Sequence, residues 1–122
     1  RVYERLITLT QDPREQVRVL SRSAAIHDEK LRDPRSAIEK NEAVLRLDGA
    51  NAVAIKNLER LYRDEALWDR LISVMQHHVT LVQDRREQVA LEVAIGETWW
   101  KELQRVDRAE AILSHALQLD PA

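Results

Sequence analysis

A chain of 122 residues is one domain or a piece of one. Its formal charge of −2, with the two signs interspersed, supplies no field that would hold DNA, RNA or anionic lipid, so no nucleic-acid partner is expected. Cysteine is absent, which removes disulfide frames and thiolate metal sites and is compatible with a cytoplasmic location. No apolar run approaches the roughly 20 residues that span a bilayer, so membrane insertion is not expected.

Gly (2) and Pro (3) are scarce while Ala, Leu, Arg, Glu and Gln abound, so the chain reads as helix with few interruptions. Seven helices are predicted. The first covers about Tyr3–Thr10. Asp12-Pro13-Arg14-Glu15 starts the second, with Asp as cap, Pro at the first helical position and Glu placed to reach back to the cap. It runs to about Leu31. Asp33-Pro34 starts the third, which ends near Leu47 ahead of Asp48-Gly49. The fourth spans about Asn51 to Asp64 and the fifth about Trp68 to Val82. Asp84-Arg85-Arg86-Glu87 repeats the capping pattern and opens the sixth, to about Leu103. The seventh runs from about Arg108 to Leu119. No segment alternates apolar and polar residues between turn signals, so no sheet is predicted. Short connections make successive helices antiparallel neighbours.

Residues 11–50 return, without a gap, as residues 83–122: twelve of forty aligned positions are identical. Gln11-Asp12-Pro13-Arg14-Glu15-Gln16-Val17 becomes Gln83-Asp84-Arg85-Arg86-Glu87-Gln88-Val89, and Leu45-Arg46-Leu47-Asp48 becomes Leu117-Gln118-Leu119-Asp120. Self-similarity at a fixed spacing marks a chain built by stacking one unit rather than by closing a single core.

The helix pairs resemble tetratricopeptide repeats, units of about 34 residues with two antiparallel helices. Leu58, Tyr62 and Trp68 fall at the family's Leu, Tyr and near-turn aromatic positions. Ile95-Gly96 resembles its Leu-Gly step and Trp99 its Tyr. Ala109, Ala116 and Pro121 match its second-helix alanines and final proline, and Ala24, Ala37 and Gly49 match in the earlier copy. The middle unit departs, with Glu59, Leu71 and His78 where the family has small residues. The resemblance implies an all-α, right-handed superhelical solenoid of antiparallel helix pairs. A partial repeat (1–12) would be followed by pairs at 13–49, 50–83 and 84–122, as part of a longer array. Both ends would then leave apolar faces to be covered by adjoining repeats or by a second copy of the chain.

In that register a concave groove would gather Arg18, Ser21, Arg22, Ala25, Asp28 and Glu29 from the second helix. Lys56, Asn57, Arg60 and Arg63 would come from the fourth, and Val93, Glu97, Trp100 and Lys101 from the sixth. Lys56, Arg60 and Arg63 share a helical face, which suits an acidic peptide or a C-terminal carboxylate. Solvated charges would produce the same pattern. Trp99 and Trp100 diverge by about 100° on a helix. Trp99 is expected in the core, whereas Trp100 is a candidate anchor in the groove or packs on a neighbouring helix. The family's carboxylate-clamp members use paired Asn and Lys residues, and Asn57 alone suggests that here.

His27, His77, His78 and His115 form no metal-ligand spacing, and no His-Glu-x-x-His pattern occurs. No Gly-rich phosphate loop or nucleophile elbow is present, so neither cofactor, metal nor catalysis is expected. The expected function is a scaffold module that binds protein or peptide. The rivals are an RNA-binding helical-repeat segment, which would need a continuous basic groove, and a non-binding spacer or oligomerisation module of a larger protein.

Overall fold

The computed structural model describes residues 12–119, and every described element is an α-helix. In chain order these are α1 (Pro13–Glu29), α2 (Pro34–Leu47), α3 (Ala52–Asp64), α4 (Trp68–Leu81), α5 (Arg85–Lys101) and α6 (Val106–Leu119). The helix expected at 3–10 lies outside the described residues. The other six stand within about two residues of their predicted bounds.

The chain divides into two units between Glu65 and Ala66. In the first, α1 packs on α2 and α2 on α3; in the second, α4 packs on α5 and α5 on α6. The middle pair expected at 50–83 therefore contributes one helix to each unit.

Helix starts follow from cap chemistry. The Asp12 carboxylate accepts the Arg14 amide (3.0 Å), and 72 residues later Asp84 accepts that of Arg86 (3.0 Å). Each satisfies an amide that has no partner inside the helix. Pro13 and Pro34 occupy the first turns of α1 and α2, where a missing N–H costs nothing. Glu15, which the sequence places to reach back to the cap, is engaged by Arg18 through both carboxylate oxygens (2.8 and 2.7 Å).

The two copies agree residue for residue. Adding 72 to the bounds of α1 and α2 gives the bounds of α5 and α6. The turn that joins each pair also recurs. Arg32 and Gln104 are left-handed, with φ of 48° and 56°. The Asp33 amide donates to the His27 carbonyl and the Arg105 amide to the Trp99 carbonyl, both at 2.7 Å.

Small residues set the approach of the paired helices. Ala24 and Ala37 are buried in the first unit, and Gly96 and Ala109 are buried at the same register in the second. A Cβ on Gly96 would lie 2.8 Å from Leu113 Cγ and 3.1 Å from Ile112 Cγ2, so only hydrogen fits there. In the first unit Leu20, Val44 and Ala54 form a cluster, with Val17, Ala43 and Leu45 packed on it. Ile55, Leu58, Leu71, Met75 and Ile95 are essentially inaccessible. Each such side chain contributes about 1.5–3 kcal/mol by leaving water.

Candidate partner-binding faces

In the first unit, α3 carries four of the expected groove residues. Its start is fixed by Asn51, whose side chain accepts the Ala54 amide (3.0 Å). Lys56, Arg60 and Arg63 then fall at i, i+4 and i+7, and all three are exposed. Arg60 forms an ion pair with Asp28 of α1, and its other terminal nitrogen lies 3.9 Å from Asp64. Arg18 is held by Glu15, and Arg22 is exposed on the same helix. The cationic stripe that the sequence suggests is thus partly neutralised within its own unit. Lys56, Arg63 and Arg22 are the cations on it that face solvent without forming one of these links.

Asn57 is half-buried rather than presented to solvent. Its amide donates to Asn41 Oδ1 (3.4 Å), and Asn41, itself buried, donates to the Ala37 carbonyl (2.9 Å). This chain ties α3 to α2 and satisfies polar groups that burial would otherwise penalise. It leaves Asn57 engaged in structure, not placed as a peptide clamp. Tyr62 adds a second link, donating its hydroxyl hydrogen to Glu42.

In the second unit, Val93, Glu97, Trp100 and Lys101 lie on α5. Trp100 is 54% exposed, with the Lys101 ammonium 5.8 Å from its ring centre, and Lys101 also pairs with Glu97 (3.1 Å). Glu97 is exposed and Val93 half-buried. Trp99, expected in the core, is only half-buried. The Arg108 guanidinium of α6 sits 4.9 Å over its ring, so a cation covers a face that an apolar side chain would otherwise fill.

Sequence reading missed the polar pair Glu92–His115. Glu92 is 2% exposed, one carboxylate oxygen meets His115 Nδ1, and the other, Oε2, is buried without a partner. His115, which reads as isolated along the chain, is brought to Glu92 by the packing of α6 on α5. The repeat carried the signal. Position 92 corresponds to Leu20 and position 115 to Ala43, two facing apolar sites that both turn polar in the second copy.

One carboxyl is tuned by its neighbours. Asp33 caps α2, and hydrogen bonds from the Ser36 hydroxyl (2.8 Å) and amide (3.2 Å) hold its pKa below the usual carboxylate range. Among the described residues each unit carries a surface cleft. One of about 360 Å³ is lined by Pro13, Arg14, Val17, Leu47 and Asp48. One of about 270 Å³ is lined by residues 66–70 and Leu103. Neither gathers a nucleophile with a base. Among the described residues no group of three His, Asp or Glu side chains is placed to hold a metal ion, and no helix is long and apolar enough to cross a membrane. No protein-family model matches the chain, and no curated protein matches it either.

Proposed function

We propose that the chain is a segment of a tetratricopeptide-like right-handed solenoid whose work is to bind protein or peptide. The observation that supports this best is the recurrence of one helix pair. Bounds, the aspartate cap of the first helix, the left-handed turn residue and the buried small residue all return after 72 residues. Units built to one plan present equivalent side chains at a fixed spacing, which suits the recognition of extended or helical ligands. Within each unit an exposed set is available for such contact: Arg22, Lys56 and Arg63 in the first, Trp100 with Lys101 in the second. Aromatic and arginine side chains in such positions carry much of the energy of protein interfaces.

Selection of a displayed peptide library on the 122-residue chain tests the reading. A recurrent acidic or aromatic-seeking motif is expected, with affinity reduced by Lys56→Glu with Arg63→Glu, or by Trp100→Ala. Selection no better than on an unrelated helical protein, or motifs indifferent to both sets of substitutions, would remove the reading.

A further inference from the structure

Asp48 and Gly49 lie in the turn between α2 and α3, and residues 48–50 are all exposed. Asp48 is the one aspartate or asparagine of the chain that precedes a glycine. In such a step no side chain hinders the approach of the glycine nitrogen to the preceding carboxyl carbon. Asp12, Asp33 and Asp120 precede proline, whose nitrogen carries no hydrogen, and the remaining aspartates precede glutamate or arginine, whose side chains crowd the approach. Position 120 is the counterpart of position 48 after the shift of 72 residues, so the second copy closes the route that the first leaves open.

The fold does not require this glycine. The φ of Gly49 is not positive. Outside its chain neighbours, an added Cβ would come no nearer than 3.8 Å to another atom, the Leu45 carbonyl oxygen. Asp48, by contrast, is a joint in the bonding of the turn. Its amide closes α2 by donating to the Val44 carbonyl (2.8 Å), and its own carbonyl accepts the Asn51 amide (3.1 Å). Its Oδ2 accepts a hydrogen bond from the Asn51 side chain (3.3 Å), and Asn51 in turn caps α3 through the Ala54 amide (3.0 Å).

We propose that Asp48 is a site of isoaspartate formation and that its conversion releases the start of α3. The Gly49 nitrogen attacks Cγ of the protonated Asp48 side chain. The N–Cγ bond forms, the N–H proton and the carboxyl hydroxyl leave as water, and a cyclic succinimide results. Water then opens the ring. Cleavage of the N–Cγ bond restores aspartate. Cleavage of the bond between the nitrogen and the main-chain carbonyl carbon leaves isoaspartate, with the chain routed through Cγ and the former carbonyl carbon now a free carboxylate. No oxidant or reductant is consumed. The main chain gains a carbon, and the two acceptors that hold Asn51 exchange roles, so the cap of α3 loses its anchor. The readout is chemical and stands apart from peptide binding.

The test is storage of the 122-residue chain in mildly acidic buffer, followed by peptide mapping. Methylation by an isoaspartate-specific carboxyl methyltransferase with labelled S-adenosylmethionine quantifies the product. Isoaspartate is expected at position 48 ahead of every other aspartate. Gly49→Ala should fold as the wild type and accumulate severalfold less. Asp48→Asn, which forms the same ring with loss of ammonia, should accumulate it faster. The converted wild-type fraction, separated by chromatography, should melt below the unconverted chain, and its Ala54 amide should lose protection from hydrogen exchange. Isoaspartate no more abundant at position 48 than at Asp64 or Asp84 overturns the proposal, and so does conversion of Gly49→Ala at the wild-type rate. A converted fraction that melts and exchanges like the unconverted chain overturns the release of α3.

Discussion

Glu92 meets His115 at the place where the first copy of the helix pair packs Leu20 against Ala43. The two copies share backbone, the cap of the first helix and turn, so the comparison isolates a change of chemistry at constant geometry. One copy fills the site with a leucine. The other fills it with a carboxylate that is buried yet only half satisfied, and with an imidazole that remains 58% exposed.

Replacing the polar pair by its counterpart should stabilise the second unit. A buried acceptor left without a donor costs about 1–3 kcal/mol, and apolar packing at this site, as in the first copy, removes that cost. Glu92→Leu with His115→Ala is therefore expected to raise the urea midpoint. His115→Ala alone should lower the unfolding free energy by about 1–3 kcal/mol, because it leaves both carboxylate oxygens without a donor. A double-mutant cycle reads the coupling directly, and a near-zero coupling energy would show that the pair is incidental.

Gly96 should tolerate no side chain. Alanine normally favours a helix interior over glycine by about 1 kcal/mol. Here the new methyl would overlap Leu113 at Cγ and Cδ2, at 2.8 and 2.9 Å, and a branch atom close to the backbone cannot swing clear cheaply. Overpacking of this kind costs about 1–3 kcal/mol, so Gly96→Ala is expected to be destabilising on balance and Gly96→Leu more so. Thermal melting would decide, and a raised Tm for Gly96→Ala would mean that α6 is free to move away.

The helices were legible because their signals are local. Asp12, Asp33, Asn51 and Asp84 cap where a side-chain oxygen can reach the first free amides, and Pro13 and Pro34 mark first turns. The positions of Ala24 and Gly96 followed from the repeat. What stayed hidden joins residues far apart in the chain: Arg60 with Asp28, Asn57 with Asn41, Tyr62 with Glu42, Glu92 with His115. The repeat register puts Asp28 and Glu29 of α1 on the same expected groove as Arg60, but it carries no record of which carboxylate pairs with which cation. The groove expected from Lys56, Arg60 and Arg63 is for that reason less basic than its sequence, and Asn57 belongs to the packing.

The turn after each long helix holds a second opportunity for stabilisation. Arg32 and Gln104 adopt the left-handed conformation that costs an L-residue roughly 1–2 kcal/mol. Glycine adopts it freely but loses about 0.5–1 kcal/mol of extra chain entropy on folding. Gln104→Gly and Arg32→Gly should each gain up to about 1 kcal/mol, and Gln104→Val should lose stability. Urea unfolding of the three variants checks this, and a destabilising Gln104→Gly would mean that the Gln side chain makes a contact worth more than the strain.

Asp33 gives the first unit an acid-sensitive element. Hydrogen bonds from the Ser36 side chain, then from its amide, favour the ionised carboxylate over the opposing cost of desolvation, and His27 and Arg35 add attraction. The folded carboxyl therefore releases its proton more readily than the unfolded one, whose value lies near 3.8. A depressed folded value means that the stabilisation is fully present above that unfolded value. It drains away as the pH falls further, through the lower folded value. Asn can cap a helix as well as Asp but does not titrate. Asp33→Asn should consequently melt below the wild type at pH 6, and the gap should close as the pH approaches 2. The corresponding position in the second copy is Arg105, where Asp107 takes over the carboxylate role and is likewise held below its ordinary value, by Arg105 itself. Asp107→Asn should show the same closing gap, and a constant offset between variant and wild type across this range would show that neither carboxylate is linked to folding.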